Sequence, residues 1–126
     1  MAQGNYNHVE IPADDVDRAK RFYQGVFGCN FSTIPGFDDY ELYTTTADGT
    51  GVGGGIGKRG VTAGREVRNY ISVDSIDAAL PKVTANGGRV VAPKEEVMGQ
   101  GWYAVVTDSE GNEFALWQDD PNTRQG

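Results

Sequence analysis

The sequence is poor in several residue types and patterns that mark particular classes of protein. Its 126 residues include one cysteine, Cys29, and one histidine, His8. A lone cysteine cannot form an internal disulfide, and with one histidine no convincing Ser-His-Asp triad can be assembled. No apolar run approaches the roughly 18 residues of a membrane span, and the N-terminus lacks the basic flank and apolar segment of a signal peptide. We therefore expect a cytoplasmic protein without membrane contact.

Basic residues are also scarce. The chain has 11 Lys and Arg against 18 Asp and Glu, which gives a formal net charge of −7. Because such a charge repels phosphate backbones, we expect no nucleic-acid partner. The acidity has two readings, attraction of a cationic ligand or simple maintenance of solubility. Hydrophobic residues make up 38% of the chain, enough for one globular domain over residues 1–126.

What the sequence does contain is an internal repeat. Adding 60 to a residue number reaches a similar residue over about fifty positions, without a gap. The pairs are Ile11 with Ile71, Asp14 with Asp74, Val16 with Ile76, Asp17 with Asp77, Ala19 with Ala79, Gly28 with Gly88, Phe31 with Val91, Tyr43 with Tyr103, Asp48 with Asp108, Gly51 with Gly111, and Ile56 with Leu116. A constant offset of this length indicates two copies of one supersecondary unit.

The first copy has the periodicity of one strand, one helix and three strands. Residues 8–11 alternate polar and apolar as a half-buried strand does, Asp14 is the candidate N-cap of a helix, and Gly28 is its candidate end. The helix carries an apolar stripe made of Val16, Ala19, Tyr23, Val26 and Phe27. Strand-like runs over 29–34, 40–46 and 52–58 follow, with turn signals at Pro35-Gly36 and 47–49.

The second copy repeats this order. It predicts a strand over 67–73, a helix capped by Asp74 and ended by Gly87-Gly88, and strands near 89–92, 101–107 and 112–118. The helix stripe is Ile76, Ala79, Leu80 and Val83. Pro81 lies inside this helix and is expected to kink or shorten it. Module 1 thus covers about 6–58, a linker 59–66, module 2 about 67–118, and a tail 119–126.

One glycine-rich run imitates a nucleotide-binding motif. Residues 55–60 fit the string G-x-G-x-x-G, but no helical stripe follows them, as the dinucleotide motif requires. The run is not a Walker A loop either, because Lys58 is followed by Arg59 rather than by Ser or Thr.

Three segments resemble the vicinal oxygen chelate superfamily, which includes glyoxalases, bleomycin-resistance proteins and extradiol dioxygenases. NHVEIPADDVDRAKRFYQGVFG resembles the opening strand and helix of a module, ISVDSIDAALPKVTANGG the start of the second module, and GWYAVVTDSEGNEFALWQ its closing hairpin. The likeness covers about residues 6–118. It implies an α+β fold in which two βαβββ modules form two curved mixed sheets around a cleft. Fold alone does not choose among the activities of the superfamily.

The resemblance also implies four metal-ligand positions, one on the first and one on the fourth strand of each module. In this chain they hold His8, Gly55, Arg68 and Ala115. One imidazole cannot hold a catalytic metal that needs three or more protein ligands, and the permanent cation of Arg68 repels one. We therefore expect no metal cofactor. The alternative is a displaced site for Zn, Mn, Fe or Ni, with Glu10 and Glu113 as substitute ligands.

Without a metal, the cleft is expected to be lined by aromatic and charged side chains. The predicted ligand-binding residues are His8, Glu10, Tyr43, Arg68, Tyr70, Tyr103, Glu113 and Trp117. His8 is either a structural histidine or a residue for binding or proton transfer. A Glu10–Arg68 pair is expected to act as a structural salt bridge. Alternating Gly53, Gly55 and Gly57 suggest that a ligand or the opposing half approaches the backbone closely.

These residues favour a metal-free protein that binds a small planar or cationic molecule, as the antibiotic-binding members of the superfamily do. The alternative is an enzyme of lyase, isomerase or dioxygenase type. It would use His8 with a displaced metal, or His8 and Glu10 in metal-free acid–base catalysis. A third reading is a module whose role is pairing with another protein. We expect a homodimer.

Overall fold

The computed structural model describes residues 4–44 and 51–120. The strands are β1 Tyr6–Ala13, β2 Asn30–Thr33, β3 Tyr40–Thr44, β4 Gly54–Lys58, β5 Arg68–Ser72, β6 Arg89–Val97, β7 Gly101–Thr107 and β8 Glu113–Asp119, and the helices are α1 Val16–Phe27 and α2 Ile76–Ala85. The order βαβββ therefore occurs twice, and the predicted α+β fold is confirmed. No helix in the described ranges is long and apolar enough to cross a membrane.

The chain divides into two compact units. Asn7–Arg68 form the first, here called the N-terminal unit, which includes the predicted linker 59–66. The other described residues form the C-terminal unit. Of the predicted tail, Asp119 lies in β8, and 121–126 lie outside the described residues, as do 45–46 of the third predicted strand and the turn at 47–49.

In the N-terminal unit, α1 covers one face of a sheet with the strand order β2-β3-β4-β1. Strand β1 pairs with β4 in parallel, and the other two pairs are antiparallel. The core between helix and sheet contains buried Ala13, Tyr43 and Ile56, against which Ile11, Val16, Ala19, Tyr23 and Phe31 pack.

The C-terminal unit repeats this arrangement with α2 on a sheet of order β5-β8-β7-β6. Its core contains Ile76, Ala104, Val106 and Leu116, with Trp102 and Phe114 among the partly buried residues against them. The side chain of Gln118 accepts a hydrogen bond from the amide of Ile76 at 2.8 Å. A backbone donor in the first turn of α2, which has no partner within the helix, is thus satisfied by the sheet.

Both helices begin one residue later than predicted. Asp15 rather than Asp14 caps α1, since its side chain accepts from the amide of Arg18. Ser75 rather than Asp74 caps α2, by accepting from the amide of Ala78. In each case the neighbouring residue type was also a good cap, so residue preference alone did not select the position. The predicted end at Gly28 is confirmed, because its φ of 71° lies in the left-handed region.

The apolar stripe of α1 is shorter than its spacing predicts. Val16, Ala19 and Tyr23 pack against the core, whereas Val26 and Phe27 are 57% and 58% exposed. Assigning these last two to the buried stripe was therefore wrong. In α2, Pro81 is accommodated inside the helix, which continues to Ala85.

The offset of 60 does not hold through the whole repeat. Ile56 is paired with Glu41 across β3 and β4, while its repeat partner Leu116 is paired with Ala104 across β7 and β8. Glu41 and Ala104 are thus structural equivalents, although they are 63 positions apart. The same shift makes Tyr40, and not Tyr43, the equivalent of Tyr103. Because side chains alternate along a strand, a shift by an odd number moves every side chain of β3 to the other face.

We expect Ile56→Ala to lower the free energy of unfolding by about 2–5 kcal/mol, because it opens a cavity in the core of the N-terminal unit. Ile56 is fully buried, whereas Val61, 70% exposed, offers a matched control. Chemical denaturation of both variants checks this. A loss for Ile56→Ala no larger than that for Val61→Ala would contradict the core assignment.

Candidate functional site

His8 and Glu10 lie on β1, on the face of the sheet opposite α1. Their direction follows from strand alternation, since Ile11 and Ala13 of the same strand pack on the helix side. Glu10 is 6% exposed although it carries a carboxylate. A buried carboxylate needs hydrogen-bond partners, because its desolvation is costly without them.

Tyr40 and Gly64 supply hydrogen bonds to Glu10. The Tyr40 hydroxyl donates to Oε2 of Glu10 at 3.3 Å, and the amide of Gly64 donates to Oε1 at 3.0 Å. The same hydroxyl lies 2.9 Å from Nε2 of His8. The three side chains form a hydrogen-bonded row, which we call the His8–Tyr40–Glu10 cluster.

His8 is neutral near pH 7. Burial lowers the pKa of His8 from its ordinary value of 6.5, and the negative charge of Glu10 opposes that shift. A neutral imidazole has one nitrogen that donates and one that accepts a proton. The cluster therefore contains a base that is uncharged at neutral pH, beside a buried acidic side chain.

The glycines of β4 make room for Tyr40. A Cβ at Gly55 would overlap the hydroxyl end of the Tyr40 ring, and a Cβ at Gly57 would come within 2.7 Å of that ring. Both glycines lie on the face opposite α1, because their register partners Glu10 and Pro12 do. A side chain of the same unit thus approaches these two glycines closely, where the prediction had named a ligand or the opposing half. At Gly53, a Cβ would instead overlap the backbone carbonyl of Tyr43.

Arg68 lies beside the loop that holds Glu10. A Cβ at Gly64 would come within 3.2 Å of Nη2 of Arg68, and the amide of Gly64 is the donor to Glu10. Gly64 thus donates to Glu10 and lies near the guanidinium of Arg68.

The C-terminal unit presents aromatic residues on the face opposite α2. The rings of Tyr70 and Tyr103 have centroids 6.4 Å apart, and Tyr103 is the register partner of Trp117. The Tyr103 hydroxyl donates to Glu95 at 2.8 Å. Glu113 lies on the same face, two positions before Ala115, and is exposed. Four of the predicted residues are therefore brought onto one face of this sheet.

A buried hydroxyl on this face has no protein partner among the described residues. Ser72 is 3% exposed, and its Oγ makes no hydrogen bond. Its register partner is Trp117. Because buried polar atoms are normally satisfied by protein, water or ligand, this hydroxyl has bonding capacity left for a water or a ligand.

Tyr43 is not part of this surface, and its predicted orientation was wrong. It is 7% exposed and packs in the core with Ile56, while its hydroxyl donates to the carbonyl of Val9 at 2.8 Å. Burial raises the pKa of Tyr43 to about 12, so it stays protonated. The shift in offset at β3, described above, explains the error. Tyr40, which the sequence interpretation missed, occupies the place given to Tyr43.

The residues at the four ligand positions do not fit a metal. Gly55 has no side chain and its space is filled by Tyr40, Arg68 is a cation, and Ala115 is a fully buried methyl group. In the part of the chain that the structure describes, no three His, Cys, Asp or Glu side chains are grouped to hold an ion. We therefore assign no chemistry to a metal at these positions.

An open groove of about 380 Å³ lies on the α1 side of the N-terminal unit, lined by Arg18, Phe22 and Arg59 among others. None of the predicted site residues lines it. It is separated from the His8–Tyr40–Glu10 cluster by the sheet itself, because the cluster lies on the opposite face.

Known proteins resemble this chain over most of its length. A "Glyoxylase-like domain-containing protein" from Didymella fabae is 31% identical over 125 residues, which cover 92% of this chain and 94% of that relative. A protein from Mycobacterium tuberculosis, named "Putative glyoxylase CFP32", is 29% identical over 120 residues. The match covers 92% of this chain and 46% of the relative, so this chain spans about half its length.

A solved structure and a family model complete the comparison. The methylmalonyl-CoA epimerase of Mycobacterium tuberculosis is similar with a TM-score of 0.66 and 15% identity, covering 96% of this chain and 93% of the other. That likeness concerns the fold alone. The model of the Glyoxalase/Bleomycin resistance protein/Dioxygenase superfamily matches residues 5–116. With nearly the whole chain matched, this protein belongs to the glyoxalase/bleomycin resistance protein/dioxygenase superfamily.

Proposed function

We propose that this protein binds a small molecule against the face of the C-terminal sheet opposite α2, without a resident metal. One observation carries this proposal. The expected metal-ligand positions lack metal-binding side chains, and aromatic side chains suited to an organic molecule are present instead. Tyr40 fills the space beside Gly55, and the C-terminal unit offers Tyr70, Tyr103 and Trp117 in place of ligands.

The chemistry of this face favours a planar or cationic ligand. Tyrosine and tryptophan rings stack on flat molecules and attract cations to their faces. Glu95 and Glu113 carry negative charge at the same sheet, and the whole chain has a net charge of −7. The unsatisfied hydroxyl of Ser72 offers one directional hydrogen bond, as small-molecule sites usually do.

Two tryptophans on neighbouring strands allow a matched test. Trp117 lies on the proposed binding face, while Trp102 packs against the α2 core. We expect planar heteroaromatic cations to quench tryptophan fluorescence in the wild type. Trp117→Phe should remove most of the quenching and weaken binding roughly tenfold, and Trp102→Phe should leave both nearly unchanged.

Calorimetric titration checks the affinities independently of the fluorescence. Elemental analysis of protein purified without chelators should find no stoichiometric divalent metal. A bound ion at unit ratio, or quenching that depends on Trp102 instead of Trp117, would contradict the proposal.

A second candidate function is metal-free acid–base catalysis by the His8–Tyr40–Glu10 cluster. The neutral state of His8 favours it, because a base must be unprotonated to accept a proton. The relatives named as glyoxylases and the epimerase with the same fold suggest substrates with an acidic C–H bond beside a carbonyl. His8 would remove this proton, which leaves an enolate and an imidazolium, and would return a proton to the same carbon.

Deuterium exchange tests this second candidate. With methylmalonyl-CoA as the probe, we expect the wild type to exchange the α-proton in D₂O, as followed by ¹H NMR. His8→Gln should lower the exchange rate by about 10²–10⁴-fold, the usual contribution of a positioned base. Exchange at the uncatalysed rate in the wild type rules out this substrate, and equal exchange in His8→Gln rules out the role of His8.

The pKa of His8 also predicts how stability depends on pH. Because the folded chain holds His8 below its ordinary pKa of 6.5, the unfolded chain binds a proton there first. Stability is therefore full above pH 6.5 and decreases as the pH falls below it. Urea denaturation between about pH 7.5 and 5.5 should show a larger loss in the wild type than in His8→Gln. Parallel losses in both proteins would contradict a buried neutral histidine.

A further inference from the structure

We propose that Tyr40 is a positioning residue that holds the His8 ring by a hydrogen bond from Nε2–H to the Tyr40 oxygen. This inference rests on the proposed function only for the role of His8 in binding or proton transfer. The bond itself is a property of the N-terminal unit without any ligand. Tyr40 is the register partner of Gly57 on β4, and its ring extends over Gly55 to reach β1.

The direction of the bonds follows from the available protons. The Tyr40 hydroxyl has one proton, which it donates to Glu10. Both oxygens of Glu10 act as acceptors, Oε2 from Tyr40 and Oε1 from the amide of Gly64. The 2.9 Å contact between Tyr40 and His8 therefore needs a proton from His8. The proton of this bond is therefore on Nε2, and in the neutral tautomer that has it there the lone pair is on Nδ1.

This arrangement specifies what His8 can recognise. With Nε2 donating to Tyr40, Nδ1 is the acceptor atom of the neutral ring. A group that engages His8 at Nδ1 would have to present a donor, such as an N–H, an O–H or an acidic C–H. Glu10 stabilises the same orientation through the hydroxyl of Tyr40, and Gly64 anchors Glu10 in turn.

The second half of the chain has Arg68 and Tyr70 at the positions of His8 and Glu10, so this arrangement is a feature of the N-terminal unit. Tyr103 is the equivalent of Tyr40, but its hydroxyl donates to Glu95 on β6. The position equivalent to Gly57 is Trp117, the register partner of Tyr103, so this strand has a large side chain where β4 has none. A tyrosine ring can lie across a strand where two alternate residues of that strand are glycines.

The single histidine makes the test direct. In tag-free protein labelled with ¹⁵N-histidine, every ring signal belongs to His8. We expect the wild type to show a downfield Nε2–H resonance that exchanges slowly with water. Tyr40→Phe should speed that exchange roughly fivefold or more, as expected for the loss of a hydrogen bond of about 1 kcal/mol, and should shift the Nε2 signal.

Matched variants separate positioning from general loss of structure. Tyr43→Phe removes a buried hydroxyl from the same strand on the other face and should leave the His8 signals unchanged. Gly55→Ala should displace Tyr40 and reproduce the effect of Tyr40→Phe while keeping the hydroxyl. Gly25→Ala, a helical site with no atoms within 4 Å of the new Cβ, should have no effect.

Each outcome decides the question. Loss of the slow Nε2–H signal in Tyr40→Phe and Gly55→Ala, with its retention in Tyr43→Phe and Gly25→Ala, supports the proposal. An unchanged signal in Tyr40→Phe, or an equal loss in Tyr43→Phe, overturns it. Should Tyr40→Phe fail to fold, the pair Gly55→Ala and Gly25→Ala gives the same decision. All spectra are recorded without ligand, so a failure of the proposed binding function would be seen separately.

Discussion

The hydroxyl of Tyr40 contacts both His8 and Glu10, and the polar cluster of the N-terminal unit depends on this one position. A buried carboxylate and a neutral imidazole on the same strand need polar partners. Tyr40 can serve both because two glycines of β4 leave its ring a path across the sheet. The polar cluster therefore depends on the glycine-rich strand β4, because the missing side chain at Gly55 leaves the space that Tyr40 needs.

The two halves of the chain have kept one backbone plan and diverged in their side chains. Where the first half has His8, Glu10, Gly55 and Gly57, the second has Arg68, Tyr70, Ala115 and Trp117. Small residues at the fourth-strand positions remove the carboxylates that a metal would need. The N-terminal unit keeps a polar face with His8 and Glu10, and the C-terminal unit has an aromatic face with Tyr70 and Trp117.

Much of the architecture could be predicted because it is local. Apolar periodicity, turn residues and the constant offset determine the element order, and the family resemblance names the fold. The helix starts were wrong by one residue because Asp14-Asp15 and Asp74-Ser75 each offer two adequate caps. The exposed ends of α1 at Val26 and Phe27 were missed because helical spacing describes a face of the helix and says nothing of how far the sheet beneath it extends.

Sequence alone determined the duplicated βαβββ plan and the placement of His8 and Glu10 on one strand face, and the family resemblance added the prediction that three of four ligand positions hold Gly55, Arg68 and Ala115. These features depend on residue identity and on spacing within single elements. Only the tertiary structure decided that Tyr40 belongs to the site and Tyr43 to the core. The pairing of β3 with β4 is a contact between strands, and a shift of three residues in that pairing changes no local pattern while it turns every side chain of β3 to the other face.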